Sequence, residues 1–550
     1  MHTLATVVEP GTLGDDEGQV LVGRTVANSG FLRAVLEHGT FDRYVFFVGE
    51  IRAQRAIESL IATLPSELQS RAELRNILQL ASSLAAGDIS VFHQNSPINQ
   101  IGEIIRLRDR YATQPVVVTG QIHSLSYPSM MLDYIKNALM GPSACDAIFC
   151  SSTAGRGALS KSYEQVVRGL QGVGAGVEAP AWELPVVPLG INVGSLECGS
   201  RAEARQHLGI ESNAFVVLSI ARFTEYDKMD LFPLLKAFAA FRDRHRAAGR
   251  APVLVLAGAR QGTRTPEMVS VWAKALQIDD SVLLRVDFAE GEKSILLAAA
   301  DCFVAVSDNP QETFGLSVVE AMAAGLPVIA SDLDGYKDTV SDEVGIRVPT
   351  HWNADMAFLS EVGPLLYERP LHLFLGQGIE VDLVALGQAF EAFYSDPEAL
   401  QKRGVAAAER ARDLYDWPKV IAQYEAHWAR LLAVDVPKKD LQPDPFAMDF
   451  HGVFGHYTTT LRQRDRLVRR SELSRRICEP ETRYPIYPEL KNVFQGPDVT
   501  ASVRMAEAPI RLDVLESQVE EARFVGESWR ASLLVAWLLK HGLLDAVEEN

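Results

Sequence analysis

Two carboxylates and a group of backbone N–H donors fall together in one stretch of the chain, 308–331. Its sequence is Asp-Asn-Pro-Gln-Glu-Thr-Phe-Gly-Leu-Ser-Val-Val-Glu-Ala-Met-Ala-Ala-Gly-Leu-Pro-Val-Ile-Ala-Ser. Glu312 and Glu320 lie eight positions apart in it, one on each side of a glycine. If a helix begins there, free N–H groups around Gly315 and Leu316 could bind a diphosphate.

The surrounding pattern predicts the elements that would position these groups. The apolar run Cys302–Ser307 is typical of a buried parallel strand, and a polar loop follows it. A helix is expected from about Leu316 to Ala324 and a further strand over Pro327–Ser331. A loop at the carboxyl end of a parallel strand, leading into a helix N-terminus, is a natural anion site.

In this setting the stretch resembles the Glu-x7-Glu signature of retaining nucleotide-sugar glycosyltransferases with two Rossmann-like domains (the GT-B fold), family 4 in particular. The resemblance extends through the residues between and after the glutamates, so it is far more specific than two carboxylates alone. It implies that Glu312 lies beside the donor sugar and that Glu320 holds the ribose hydroxyls. The structural alternative for Glu320 is a capping box with Ser317. The donor site that the resemblance implies also includes Thr313, Phe314, Gly315 and Leu316.

Two cations precede the signature. The predicted strand Phe215–Arg222 ends in a guanidinium, and Lys228 follows six residues later. The family carries an arginine and a lysine at these positions, where both bind the donor's diphosphate. Such cations would stabilise the negative charge that grows on the departing nucleotide. The alternative for each is a solvated basic residue at a helix start. Arg260 is a lesser candidate for contact with phosphate or acceptor.

Strands alternate with helices in the first part of the chain, as in βαβ units with a parallel sheet. A helical stretch is predicted over Arg52–Ala85, with a break at Pro65. His123 follows the predicted strand Pro115–Thr119, where open α/β sheets bind ligands. The family places a histidine near this point, close to acceptor and donor sugar, so His123 joins Arg222, Lys228 and Glu312 as an expected catalytic residue. An ordinary loop histidine bonded to backbone is the alternative.

The length of 550 residues indicates more than one hydrophobic core. The predicted fold class is α/β, with two Rossmann-like domains facing across a cleft and a small appended C-terminal domain. The expected ranges are 1–195 for the acceptor domain, 196–410 for the nucleotide-sugar domain, 411–433 for a helix that crosses back, and 434–550 for a linker and a mostly helical domain.

Composition excludes several other classes of function. The formal net charge of −18 argues against nucleic acid as a partner. No run of about 18 apolar residues is present, so no transmembrane segment is predicted, and the start of the chain lacks the layout of a signal peptide. A cytoplasmic protein is expected, with no metal and no tightly bound cofactor. A UDP- or GDP-sugar is the expected donor, and a glycan, lipid, small molecule or peptide the acceptor.

The last part of the chain lies beyond the family resemblance. Pro437–Pro445 is typical of an extended linker, and Trp529–Leu539 of a closing helix. Arg462–Arg476 carries seven arginines, which indicate a solvated helical face, a docking site for an anionic acceptor or partner, or peripheral contact with an anionic membrane. Homo-oligomerisation or binding of a peptide or protein is also consistent with this region. The alternative functions for the whole chain are a catalytically silent scaffold, and a phosphorylase or synthase on the same fold.

Overall fold

Two parallel six-stranded sheets account for most of the first 350 residues. The computed structural model describes residues 2–9, 11, 13, 23–95, 100–196, 198–246, 249–289, 291–353, 355–435, 446–459 and 463–547. The predicted linker Pro437–Pro445 lies outside the described residues, as does Arg462. None of the helices in the described ranges is both long enough and apolar enough to cross a membrane.

The first sheet has the strand order β3-β2-β1-β4-β5-β6, and every neighbouring pair is parallel. The strands β1–β6 are Thr3–Val8, Arg43–Val48, Ala72–Asn76, Val91–Gln94, Val117–Gln121 and Ala147–Phe149. The helices α1–α7 of this half are Gly23–His38, Ile51–Ala62, Ser66–Gln69, Leu80–Ala85, Ile101–Tyr111, Met130–Met140 and Thr153–Gly172. Buried aliphatic and aromatic residues of the central strands, such as Val45, Phe92 and Val118, form the core.

The second sheet repeats this arrangement, with the order β12-β11-β10-β7-β8-β9 and parallel pairing throughout. Its strands β7–β12 are Phe215–Ile220, Pro252–Gly258, Val282–Val286, Cys302–Ala305, Val328–Ser331 and Gly345–Val348. The helices α8–α13 are Arg201–Leu208, Leu231–His245, Thr265–Ala275, Glu292–Ala299, Leu316–Ala323 and Tyr336–Thr339. The predicted strand–loop–helix–strand around the signature is therefore present as β10, α12 and β11.

A segment of small elements follows the second sheet, and long helices return the chain to the first. The segment contains β13 (Thr350–Trp352), α14 (Phe358–Val362), α15 (Glu368–Gln377) and β14 (Ile379–Val381). The helices α16–α18 are Leu383–Ser395, Pro397–Leu414 and Trp417–Leu432. Trp428 of α18 donates a hydrogen bond from Nε1 to Thr119 Oγ1 of β5 at 3.1 Å. The domain bounds at 195, 410 and 433 stay predictions.

The chain ends in a small unit with its own core and an antiparallel three-stranded sheet in the order β16-β15-β17. Its strands β15–β17 are Leu467–Arg470, Ile510–Arg511 and Leu544–Ala546. The helices α19–α23 are Phe450–Phe454, Glu472–Ile477, Gly496–Met505, Leu512–Arg523 and Ser528–Lys540. The predicted closing helix is present as α23.

Two predictions of secondary structure are wrong. The expected helical stretch 52–85 contains a strand, β3, because pairing with β2 overrides the helix-favouring sequence Ala-Glu-Leu-Arg-Asn. The arginine-rich stretch is not one helical face, since β15 is the middle strand of its sheet and α20 begins only at Glu472. Arg470 is buried there and forms ion pairs with Glu479 and Glu507.

Candidate active site

A cleft of about 670 Å³ lies at the carboxyl edges of the two sheets, with residues of both halves in its walls. The second half contributes the loops after β7 and β10 and the first turn of α12. The first half contributes the residues after β5 and the start of α6. All nine residues predicted for catalysis or donor binding line it: His123, Arg222, Lys228, Glu312, Thr313, Phe314, Gly315, Leu316 and Glu320.

Glu312 is held as a carboxylate by its surroundings. Lys228 Nζ donates to Glu312 Oε2, and the two side chains are 15% and 14% exposed. Tyr336 OH donates to the same oxygen at 3.4 Å, and the N–H of Phe314 donates to Oε1 at 3.4 Å. Burial by itself would raise the pKa of Glu312, but the charge and hydrogen bond of Lys228, the N–H of Phe314 and the charge of Arg222 together outweigh it, so the pKa is lowered. A fixed negative charge and a fixed positive charge therefore lie side by side in the cleft.

Arg222 follows β7, and hydrogen bonds from one nitrogen of its guanidinium hold the side chain in place. Nη1 donates to Asp227 Oδ2 at 3.0 Å and to Gln261 Oε1 at 3.1 Å. Both of these hydrogen bonds use the same nitrogen, and a guanidinium has five N–H donors in a planar fork. Arg222 thus combines a fixed position with further donors that suit a bidentate phosphate contact.

Glu320 does not form the capping box. Helix α12 has Gly315 as its N-cap residue, and no side chain caps it. Glu320 pairs instead with Lys293 Nζ, which comes from α11. The structural alternative for Glu320 is therefore wrong, and its carboxylate lies in the cleft wall beside a third cation. Lys293 was not predicted from the sequence, because an ion pair between residues 27 positions apart gives no local signal.

The backbone at Gly315 is where the signature loop turns into α12. Gly315 has φ +93°, and a Cβ atom at this position would lie 2.3 Å from Cε1 of Tyr336. Only glycine has both the left-handed conformation and the space that this approach requires. The turn places the first N–H groups of α12 at the cleft, where a helix N-terminus favours an anion.

Two acids beside the cleft, one buried and one half-buried, have raised pKa values that the sequence did not predict. Burial raises the pKa of Asp308, at the carboxyl end of β10, to about 8, although its carboxylate accepts the N–H of Asp230 at 3.2 Å. Burial, followed by the charges of Glu312 and Asp338, raises the pKa of Asp334 to about 8. The sequence shows aspartates at turns, and only the fold shows that they are enclosed.

The structure agrees in part with both interpretations of His123, as a cleft residue and as a loop histidine bonded to backbone. It lines the cleft, and its Nε2 lies 2.9 Å from the backbone oxygen of Asn95. The structure therefore brings the histidine to the same cleft as the signature residues, and its catalytic role stays a prediction. Arg260 does not line the cleft; its side chain is 41% exposed and pairs with Glu267.

Hydrogen bonds join the two halves around the cleft. Ser151 Oγ donates to the backbone oxygen of Thr313 at 3.2 Å. Gln311 Nε2 donates to Tyr127 OH, so the signature loop is tied directly to the first half. Ser126 Oγ lies 2.8 Å from Nε2 of His372, which belongs to α15. The segment 350–381 thereby reaches across to the first half and forms part of the cleft wall.

Comparison with known proteins agrees with this architecture. Residues 200–359 match the model of the family Glycosyl transferases group 1, which confirms the resemblance predicted from the signature. The chain is 34% identical over 175 residues to a D-inositol 3-phosphate glycosyltransferase of Actinosynnema mirum, a match that covers 31% of this chain and 41% of that protein. The chain spans about two-fifths of the length of the curated relatives it matches.

Two solved structures share the fold. A glycosyltransferase from Rickettsia africae ESF-5 superposes with a TM-score of 0.54 at 13% identity, over 79% of this chain and 99% of that chain. Anabaena Alr3699/HepE in complex with UDP gives 0.53 at 15% identity, over 78% of this chain and 100% of that chain. At these identities the likeness concerns the fold alone, and it confirms the predicted GT-B arrangement.

Proposed function

Because residues 200–359 match the glycosyl transferases group 1 family, we propose that this protein transfers a sugar from a nucleotide diphosphate sugar to an acceptor, with retention at the anomeric carbon. One observation carries the proposal. Arg222, Lys228, Glu312 and Glu320, which come from three different elements, converge on one cleft at the N-terminus of α12. Cations and helix N–H groups beside fixed carboxylates suit a diphosphate that is linked to two sugars.

The nucleotide diphosphate is the leaving group of the proposed reaction. Negative charge grows on its terminal phosphate as the glycosidic bond breaks. Arg222, Lys228 and the N–H groups at the start of α12 stabilise that charge where it develops, which lowers the barrier. Glu320 accepts hydrogen bonds from the ribose hydroxyls, with Lys293 fixing its position.

The donor sugar lies against Glu312 in this proposal. The carboxylate accepts hydrogen bonds from sugar hydroxyls and stabilises positive charge at the anomeric carbon. His123 lies on the opposite wall, where it contacts the sugar or the incoming acceptor. The sugar, the base and the identity of a nucleophile are not assigned by these residues. A UDP-sugar is the first donor to test, since the Anabaena neighbour holds UDP.

The proposal is tested by incubating the purified protein with a panel of UDP- and GDP-sugars. Free nucleotide release and thermal stabilisation are followed together, without added acceptor. We expect one donor both to raise the Tm and to be hydrolysed slowly. A protein that binds none of the donors at millimolar concentration would support the silent-scaffold alternative instead.

The remaining predictions from sequence concern the surroundings of this reaction. No tightly bound cofactor and a cytoplasmic location stay predictions, as do an oligomeric state, a peptide or protein partner and membrane contact through residues 434–550. Relatives named for D-inositol 3-phosphate make that compound one acceptor to include in the tests.

A further inference from the structure

Both walls of the cleft carry carboxylates, but among the described residues only one wall carries cations. Its described lysine and arginine side chains are Arg222, Lys228 and Lys293, and all three belong to the second half. The wall of the first half, as far as the structure describes it, has hydroxyl groups, one histidine and one carboxylate, Asp133. Phosphate on a bound nucleotide therefore has its counterions on one side only.

A second carboxylate joins Asp133 on the acceptor side. Glu368 in the first turn of α15 lines the cleft, and its Oε1 accepts a hydrogen bond from Ser129 Oγ at 3.4 Å. Asp133 lies in the first turn of α6, which begins next to Ser129. Burial raises the pKa of Asp133, and no cation contributes to that shift. Two carboxylates from separate halves thus lie in the cleft wall at the start of α6.

Buried carboxamides lie behind His123, which lines the cleft. Asn95 is 3% exposed, and its Oδ1 has no hydrogen-bond partner among the described residues. Its backbone oxygen contacts His123, and its Nδ2 donates to the backbone oxygen of Asn28 at 3.3 Å. The other buried amide atoms without a partner in the described ranges at this edge are Asn28 Oδ1, Gln94 Nε2 and Gln121 Nε2.

These amide atoms lie at the point where an open α/β sheet binds ligands. Gln94 and Gln121 are the last residues of β4 and β5, and β4 neighbours β1 where the strand order reverses. A buried polar atom without a partner is unfavourable, so such atoms point to a group that hydrogen-bonds them in the working state. Amide oxygens and N–H groups bind hydroxyls, which both donate and accept.

We propose that the acceptor is a polyhydroxylated compound without an anionic group, selected by Asp133, Glu368 and Asn95. The inference rests on the proposed glycosyl transfer and names its acceptor class. Carboxylates accept hydrogen bonds from hydroxyls or from a protonated amine, whereas they repel a phosphate. The carboxamide of Asn95 contributes hydrogen bonds that do not depend on charge. Anionic groups are bound on the opposite wall, by the three cations that face the donor.

The test uses related acceptors that differ by one charged substituent. The full-length protein, with the donor that it hydrolyses, is given glucose, glucosamine and glucose 6-phosphate, then myo-inositol and D-inositol 3-phosphate, and then common neutral disaccharides. Formation of the glycosylated product and nucleotide release are both measured. Where the protein glycosylates a neutral acceptor, we expect kcat/KM for its phosphorylated counterpart to be lower by about 10-fold or more. The phosphate would be repelled by the carboxylates of the partly buried wall.

The outcomes separate this inference from the proposed function. Loss of donor hydrolysis itself would contradict the proposed function. Donor hydrolysis that persists while no neutral or amine-bearing compound is glycosylated, or while the phosphorylated members are used equally well or better, overturns the acceptor class.

Variants identify the residues that make the selection. Asp133→Asn and Glu368→Gln should each raise the phosphorylated-to-neutral ratio of kcat/KM by about 3- to 10-fold, since one repelling charge is removed. Glu361→Gln is the control and should leave the ratio unchanged, because Glu361 is an exposed residue of the segment 350–381 that does not line the cleft. Asn95→Ala should lower kcat/KM for the neutral acceptor by about 10-fold, with the KM for donor in hydrolysis unchanged. An unchanged ratio in both carboxylate variants would contradict the selection.

Discussion

The two sheets of this protein have the same strand order, but among the described residues that line the cleft only those of the second half include lysine or arginine. Counted within each half, both orders are 3-2-1-4-5-6. The edge of the second sheet collects Arg222, Lys228 and Lys293, whereas that of the first collects carboxamides, hydroxyls and Asp133. The shared strand order places a ligand site at the carboxyl edge of each sheet. A few side chains at the strand ends then determine which ligand binds there.

Removing a cation from the second wall breaks the contrast and should have the largest effect. Arg222→Ala is expected to lower kcat/KM for nucleotide release by about 100- to 1000-fold, as for other groups that stabilise charge in a transition state. Steady-state assays of nucleotide release measure this. Arg260→Ala is the matched control, because Arg260 is exposed and paired with Glu267 outside the cleft. Equal losses of kcat/KM in the two variants would mean that the overall charge of the protein, and not the position of Arg222, supports nucleotide release.

A substitution at the turn into α12 should also disturb the wall of the second half. Gly315→Ala should lower the free energy of unfolding by about 2–4 kcal/mol, because a positive φ and a clash with Tyr336 add together. Gly325→Ala shares the positive φ, at +79°, but its nearest neighbour is a backbone oxygen at 3.9 Å. Urea unfolding should therefore show a loss of only about 1 kcal/mol there. Similar losses at both positions would contradict the role of the Tyr336 contact.

The pH dependence of stability tests whether Asp308, behind the second wall, is a buried and protonated acid. The pKa of Asp308 is about 8 in the folded protein and 3.8 as its ordinary value. Between these values the folded state binds more protons than the unfolded state, so the free energy of unfolding falls as pH rises through this window. Asp308→Asn removes that linkage. The stability of the variant relative to the wild type should therefore rise by about 3–4 kcal/mol between pH 5 and pH 8.

Urea unfolding at pH 5, 6.5 and 8 measures this difference, with the exposed Asp355→Asn as control. Some pH dependence should remain in the Asp308 variant, because the pKa of Asp334 is also about 8. Parallel stability curves for the wild type and Asp308→Asn would contradict the buried, protonated acid.

The smallest expected effect concerns the third cation. Lys293→Ala frees Glu320 from its ion pair, and a partly exposed ion pair contributes little to stability. We expect an increase of about 3- to 10-fold in the KM for donor, with kcat nearly unchanged, because only the ribose contact loses its orientation. A large fall in kcat would instead place Lys293 on the diphosphate.

The second half could be predicted from the sequence far better than the first. Its site residues are concentrated between Glu312 and Glu320 or follow an apolar strand directly, as Arg222 does. Strand, loop and helix are local patterns, so α12 and its flanking strands were predicted to within a residue or two at each end. Lys293 and Asp308 were missed because packing between elements gives them their partners and their burial.

The first half carries its polar residues singly, at the ends of strands that are distant in sequence. Asn28, Gln94, Asn95 and Gln121 are unremarkable by letter, and only the strand order β1-β4-β5 brings them to one edge. The helix-favouring composition of Ala72–Asn76 concealed a strand altogether. Both the shared edge and the strand β3 result from pairing between strands that are distant in sequence. A single sequence does not show which strands pair.

Nucleotide binding is the measurement that tests the contrast between the walls most directly. UDP and GDP are titrated calorimetrically into the wild type, Arg222→Ala and Asp133→Asn. We expect one nucleotide to bind the wild type. Arg222→Ala should raise its Kd by about 10- to 100-fold, and Asp133→Asn should change the Kd by less than about 2-fold. Equal weakening by the two substitutions, or binding that is indifferent to Arg222, would contradict the contrast between the walls.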